Sequence, residues 1–115
     1  VFWLTRSILV TMARVLVISS FLAHGRVGLG ASVPVLQVLG HEVIQLPAVM
    51  LSNHPGHAAV AGQPVAPEQL TAMLAALKAN GWLRDIAAIV TGYLPSPGHI
   101  YFAAETVREV RDVNP

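Results

Sequence analysis

Two histidines, a serine and an asparagine lie within one short stretch, Ser52-Asn53-His54-Pro55-Gly56-His57. The stretch follows an apolar run, residues 48–51, and precedes a helix predicted to begin near Pro67. In open α/β folds, loops at the ends of strands are common ligand sites because their side chains and backbone amides face the rim of the sheet. The sequence therefore predicts a ligand-binding loop here.

A metal site is the alternative interpretation of this loop, because His54 and His57 are three residues apart. Zinc needs three or four ligands, however, and His24, His41 and His99 have no motif spacing to this pair. No Ser-His-Asp set and no paired carboxylates are visible in the sequence. We therefore predict no metal ligand among these histidines, and the residues alone indicate no catalytic set.

Two other polar sites follow predicted strands, Ser19-Ser20 and Thr91-Gly92-Tyr93. Parallel strands point in one direction, so these sites and the loop at Ser52 should converge on one rim of the sheet. Hydroxyls, an imidazole and one aromatic face would suit a small polar ring ligand. The simpler alternatives are a strand-to-loop transition at Ser19-Ser20 and an ordinary half-buried core position for Tyr93.

Strands and helices alternate along the chain, which predicts an α/β fold with a parallel sheet and right-handed crossovers. The predicted strands are residues 14–19, 42–46 and 85–90, with residues 48–51 as a continuation of the second strand or a separate short one. The predicted helices are residues 31–39, 67–80 and 98–113, the last with Arg108 and Asp112 spaced to pair. Residues 52–66 form the longest predicted loop.

Three glycines, Gly25, Gly28 and Gly30, raise the possibility of a dinucleotide-binding loop. Their spacing is G-x-x-G-x-G rather than G-x-G-x-x-G, and Glu42 comes too early to be the ribose-binding acid of that motif. Close packing of a helix on the sheet is the favoured role for these glycines.

The composition limits the classes of protein to which the chain can belong. Its 115 residues make one domain or part of one, and only 11% are charged, against roughly 25% in an ordinary soluble domain. Some apolar surface is therefore expected to pack against further chain, a partner or a membrane. The net charge of +1 gives no case for nucleic acid, and the absence of cysteine fits a reducing compartment.

The apolar amino terminus is not predicted to span a membrane. Arg6 and Arg14 interrupt it, and no uninterrupted run approaches the ~20 residues that a spanning helix needs. Residues 1–11 are instead predicted to be an upstream extension outside the fold, and residues 12–115 to form the domain.

Six stretches, in order and with matching spacing, resemble pyridoxal kinases, the vitamin B6 branch of the ribokinase-like superfamily. They are VLVISS at 15–20, GRVG at 25–28, PVLQVLG at 34–40 with Glu42-Val43, SNHPG at 52–56, TGYL at 91–94 and VNP at 113–115. The resemblance implies a three-layer, ribokinase-like (Rossmann-like) parallel sheet, here incomplete. Phe21 departs from the family pattern, because a histidine usually follows the serine.

The resemblance also implies seven substrate-binding positions: Ser20, Val49, Leu51, His54, Pro55, Gly56 and Tyr93. Ser20 is expected to hydrogen-bond the polar edge of the pyridine ring, and Tyr93 to pack on the face of the ring. Val49 and Leu51 are expected to be apolar walls, and residues 54–56 to close beside the substrate.

The implied reaction is transfer of the ATP γ-phosphoryl group to the 5′-hydroxymethyl group of pyridoxal, pyridoxine or pyridoxamine. ATP and Mg²⁺ are the implied cofactors, and a cytoplasmic homodimer is the implied assembly. In the family the ATP site and the catalytic Asp lie further along than Pro115, so residues 12–115 are predicted to be the amino-terminal, substrate-binding part. The alternatives are a non-catalytic relic, a vitamin-binding or interaction module and, ranked below these, a hydroxymethylpyrimidine kinase.

Overall fold

The computed structural model describes residues 13–114, which form four strands and three helices. The segment 1–11, predicted to be an extension, lies outside the described residues. In chain order the elements are β1 (Arg14–Leu22), α1 (Leu29–Val38), β2 (Glu42–Leu51), β3 (Gly62–Pro64), α2 (Pro67–Ala79), β4 (Ile86–Thr91) and α3 (Pro97–Val113).

The strands form one sheet in the order β3-β2-β1-β4. Strand β1 is parallel to both β2 and β4, as the alternation of strands and helices predicts. Strand β3 is antiparallel to β2. The prediction of a loop over residues 52–66 is wrong at this point, because three residues of that segment return to pair with β2. The sheet is otherwise parallel, as predicted.

Helices cover both faces of the sheet, which gives the predicted three layers. Side chains alternate along β1, so that Leu16 and Ile18 join the core under α2 and α3, whereas Val15 and Val17 pack with α1. Leu70 of α2 and Phe102 of α3 complete the larger core. The three-layer α/β architecture predicted from the sequence is confirmed.

Strand β1 extends past its predicted end at residue 19, because Ser20, Phe21 and Leu22 remain paired with β2. Ser19-Ser20 therefore lies inside the strand, and its interpretation as a strand-to-loop transition is wrong. Strand β2 is continuous through Pro47, which confirms the alternative that residues 48–51 continue the second strand.

The helices begin close to their predicted positions. Pro67 occupies the first turn of α2, as predicted. Helix α3 begins at Pro97, one residue before the predicted start, and Ser96 caps it by accepting a hydrogen bond from the amide of His99. Arg108 pairs with Glu105 at 2.7 Å, so its predicted pairing with Asp112 is wrong.

Strand β4 lies at the edge of the described sheet, and it exposes apolar side chains there. Ala87, Ala88 and Val90 are all exposed, although β4 has the composition of a buried parallel strand. This surface is one place where the expected shortage of polar cover is seen, and helix α1 is another, because Val35 and Val38 are exposed on it. Within residues 13–114, no helix combines the length and the apolarity that crossing a membrane requires.

Candidate functional site

One row of residues runs across the sheet near the carboxyl ends of its parallel strands. Ser20 of β1 pairs with Val49 of β2, and Val49 pairs with Pro64 of β3. On the other side, Thr91 is the partner of Ile18, so Tyr93 follows its strand at the level of Ser20. Residues from all four strands or their ends therefore converge on one rim.

A β-bulge in β2 determines which side chains join this row. The partner of Ser19 is Pro47 and that of Ser20 is Val49, so Ala48 is an extra residue without a partner in β1. Side chains alternate along a regular strand, and one extra residue reverses the alternation beyond it. Val49 and Leu51 consequently share the face of Ser20, which a regular strand would not allow.

These residues enclose a cavity of about 560 Å³, within the range of small-molecule sites. Six of the seven predicted substrate-binding residues line it: Ser20, Val49, Leu51, His54, Pro55 and Tyr93. Gly56 is the seventh, and it does not belong to the lining. Four lining residues were not predicted: Leu22, Val27, Pro64 and Pro95.

Most polar groups of the segment 52–57 are used to hold the loop itself. The hydroxyl of Ser52 donates to Asn53 Oδ1 at 2.6 Å and accepts from the amide of Ala61 at 3.0 Å. The side-chain amide of Asn53 donates to the carbonyl oxygens of His54 and Ala59, each at 3.0 Å. Ser52 and Asn53 therefore shape the loop, and neither lines the cavity.

The imidazole of His54 combines a loop contact with a place in the cavity lining. Its Nδ1 accepts the backbone N–H of Gly56 at 2.9 Å. A backbone amide can only donate, so the neutral ring carries its proton on Nε2. Gly56 thus contributes by fixing the tautomer of His54, and the remaining ring nitrogen is a hydrogen-bond donor.

Two glycines allow the closest backbone approaches around Ser19 and Ser20. A Cβ atom on Gly28, which has φ of +56°, would lie 2.4 Å from the carbonyl oxygen and from Oγ of Ser20. A Cβ atom on Gly92 would lie 2.2 Å from Ser19 Oγ. The prediction that the glycines serve close packing on the sheet is confirmed at Gly28, where the amino end of α1 meets β1.

The cavity is lined by neutral or apolar side chains, with Ser20, His54 and Tyr93 as its polar members. Residues 13–114 contain no group of three His, Cys, Asp or Glu side chains that could hold a metal ion. The arrangement can hydrogen-bond and enclose a small ring.

Solved structures identify the class of fold. A pyridoxal kinase from Leishmania donovani, solved with ADP and pyridoxamine, aligns with a TM-score of 0.84 and 36% identity over 88% of this chain and 35% of that chain. A protein from Bacteroides thetaiotaomicron, provisionally described as a phosphomethylpyrimidine kinase, aligns with a TM-score of 0.80 and 26% identity over 88% and 34%. These neighbours confirm the predicted ribokinase-like fold.

Sequence comparison gives the particular relatives. The pyridoxal kinase of Sus scrofa is 36% identical over 103 residues, which are 90% of this chain and 32% of that enzyme. The predicted resemblance to pyridoxal kinases is therefore confirmed over the matched residues. The chain spans about a third of the length of the curated relatives it matches. No protein-family model matches it.

Proposed function

We propose that this chain is the vitamin-binding part of an ATP-dependent pyridoxal kinase. The reaction would move the γ-phosphoryl group of ATP to the 5′-hydroxyl of pyridoxal, pyridoxine or pyridoxamine and yield the 5′-phosphate. The observation that carries the proposal is the cavity at the strand ends, because six residues that match family substrate positions line it together.

Each lining group would have a distinct task. Ser20 Oγ would hydrogen-bond the polar edge of the pyridine ring, and the ring of Tyr93 would pack on its face. Val49 and Leu51 would exclude water from the ring. His54, with its proton on Nε2, would donate to an acceptor on the vitamin, which favours an oxygen substituent or an unprotonated ring nitrogen.

ATP and Mg²⁺ are the proposed cofactors of the whole enzyme. The described residues 13–114 include no acidic cluster suited to a divalent cation, so we assign none of them to Mg²⁺ and derive no phosphoryl-transfer step from them. When bound, the metal would neutralise charge on the transferring phosphoryl group. A cytoplasmic homodimer is part of the same proposal, and it rests on the resemblance alone.

Two other functions use the same cavity. A vitamin-binding module without catalysis would need the cavity but no ATP site. A hydroxymethylpyrimidine kinase would share the fold, but the similarity of the chain to the described phosphomethylpyrimidine kinase is lower, 26% against 36% identity. The segment Ser52 to Gly56 also favours the pyridoxal kinases, because the pattern matches that family.

A paired assay tests the proposal. The 115-residue chain and the longest reading frame that contains it are each incubated with ATP, Mg²⁺ and either pyridoxal or hydroxymethylpyrimidine. We expect the longer product to phosphorylate pyridoxal in preference, and the 115-residue chain to show no turnover. Pyridoxal binding without phosphorylation by the longer product would indicate the module, and a preference for hydroxymethylpyrimidine would indicate the other kinase.

A further inference from the structure

His99 is a buried histidine outside the cavity, with 2% of its surface exposed. Its Nε2 lies 2.7 Å from the carbonyl oxygen of Val65, and its Nδ1 lies 2.7 Å from Ser96 Oγ. A carbonyl oxygen can only accept, so Nε2 donates to it and Nδ1 of the neutral ring accepts from the hydroxyl. Both ring nitrogens are therefore satisfied inside the protein.

These two hydrogen bonds join segments that come from opposite edges of the sheet. Val65 directly follows β3, whereas Ser96 lies between β4 and α3, and the sheet order puts β3 and β4 at its two edges. The amide of Val65 also donates to the carbonyl of Ala48, the extra residue of the bulge, at 3.0 Å. One chain of hydrogen bonds thus runs from the bulge through Val65 and His99 to Ser96.

The neighbouring residues show how closely the two segments pack. A Cβ atom on Gly98 would lie 3.1 Å from Cγ of Pro67, so the start of α3 lies directly against the start of α2. Pro64 precedes Val65 and Pro95 precedes Ser96, and both prolines line the cavity. The two contacts of His99 therefore fall one residue away from two parts of the cavity wall.

We propose that His99 is a positioning residue for the cavity. By tying Val65 to Ser96 it fixes Pro64 relative to Pro95 and holds the bulge that directs Val49 into the site. His99 does not touch the ligand and performs no chemistry. The identity of the ligand, a B6 vitamer, rests on the proposed function, but the link between the two segments does not.

The test compares three substitutions in the longest reading frame that contains this chain. His99→Leu removes both hydrogen bonds, whereas His99→Gln keeps one donor and one acceptor of similar reach. Thr106→Val is the matched control, because it removes a different buried side-chain hydrogen bond of α3, the one from the Thr106 hydroxyl to the carbonyl of Phe102. Ser96→Ala removes the partner of Nδ1, and with it the side-chain cap of α3, and it replaces His99→Leu if that variant does not fold.

Pyridoxal affinity and amide hydrogen exchange are measured for each variant. For His99→Leu we expect the Kd for pyridoxal to rise about tenfold. This is the size of effect expected when a buried hydrogen-bonding side chain is lost. His99→Gln should restore the Kd to within about twofold, and Thr106→Val should leave it unchanged. The hydrogen-bonded amides of Val65, Gly92 and Ile100 should exchange faster in His99→Leu, whereas those of α1 should not.

The two proposals fail in different ways. If the unmodified protein does not bind pyridoxal, the proposed function fails, while the exchange measurement still decides whether His99 links the two segments. If the unmodified protein binds pyridoxal and His99→Leu binds it equally well, the positioning role is overturned. Unchanged exchange in both segments, or a Kd raised as much by Thr106→Val as by His99→Leu, would overturn it as well.

Discussion

The loop at residues 52–61 and the connection at residues 92–96 both flank the cavity, but different contacts hold them. The loop is held from within, because Ser52 and Asn53 bond to its own backbone and to each other. The connection exposes Tyr93, 63% accessible, while Leu94 packs against the larger core and Ser96 reaches His99. Side chains of the first segment hold it from within, whereas the second segment is held by its contacts with the rest of the fold.

Polar side chains near the cavity therefore have two uses: some hold the backbone of a loop, and others face the ligand site. In the loop, the polar groups of Ser52 and Asn53 form the hydrogen bonds that hold the loop in shape. At the connection, the aromatic ring of Tyr93 is exposed, so it is accessible to a ligand. Changes in the loop should therefore alter the stability of the fold, whereas a change at Tyr93 should alter binding.

The largest expected effect comes from the strand that closes the loop. Gly62 has φ of +128°, and a Cβ atom on it would lie 2.0 Å from the carbonyl oxygen of Met50. We expect Gly62→Ala to lower the free energy of unfolding by at least about 2 kcal/mol. Urea denaturation measures this value.

Gly40→Ala is the matched control for that substitution, because Gly40 has φ of +91° but open space around it. Backbone strain alone should cost about 1 kcal/mol there. Equal losses from Gly62→Ala and Gly40→Ala would show that the close approach of β3 to β2 is not what holds the end of the loop.

The next effect tests the hydrogen bonds inside the loop. Ser52→Ala removes the acceptor of the Ala61 amide and the donor to Asn53, and should lower the free energy of unfolding by about 1 kcal/mol. Ser32→Ala, within α1, should cost nothing because alanine favours helices. If denaturation of both variants matches the unmodified protein, the loop does not depend on its own side chains.

Tyr93→Ala should weaken binding and leave the stability of the fold almost unchanged, the reverse of the substitutions in the loop. Lost stacking is worth about 0.5–1.5 kcal/mol, so the Kd for pyridoxal should rise about two- to tenfold while the free energy of unfolding barely changes. Tyr101→Ala is the control, because Tyr101 is 75% exposed and lies on α3 away from the cavity. Calorimetric titration measures the Kd of both variants, and urea denaturation measures their free energies of unfolding. An unchanged Kd for Tyr93→Ala would remove Tyr93 from the site.

The smallest effect is expected far from both segments, where Lys78 of α2 pairs with Glu109 of α3. The hydrogen bond to Glu109 raises the pKa of Lys78 above its ordinary value of 10.5. A group whose pKa is higher in the folded state stabilises the fold at pH values below its unfolded-state pKa. This stabilisation is lost as the pH rises through the folded-state pKa.

The pair is exposed, so Lys78→Met should change neither the Kd for pyridoxal nor, measurably, the melting temperature near neutral pH. Above pH 10.5 the unmodified protein should lose its small advantage over the variant. A change in affinity would mean that the helical layer, and not only the strand ends, controls the cavity.

Much of this fold could be predicted because continuous apolar runs alternate along the chain with segments of amphipathic helical spacing. The three parallel strands, the three helices and the convergence of their loops could be predicted, because buried parallel strands leave continuous apolar runs in a sequence. Strand β3 could not, because Gly62-Gln63-Pro64 has no strand character and pairs only through the tertiary fold. In hindsight, Pro47 within a run of strand residues was the signal for the bulge.

The placement of the candidate site was predictable for residues at or just past the end of a predicted strand. The lining positions of Ser20, Val49, Leu51 and Tyr93 matched the resemblance. Pro64 and Pro95 were missed, because they reach the cavity only once the sheet edges are brought together. His99 was considered only as a metal ligand, since nothing in the sequence shows that its partners would be a hydroxyl and a distant carbonyl.

The position of bound pyridoxal tests the central claim most directly. Nuclear magnetic resonance of the isotope-labelled product of the longest reading frame would locate it by the amides whose shifts change on titration. We expect the changes to centre on Ser20, Leu51 and Tyr93. Changes centred instead on the groove between β4 and α3, which Ala88 and Val107 line, or no change at any amide, would contradict it.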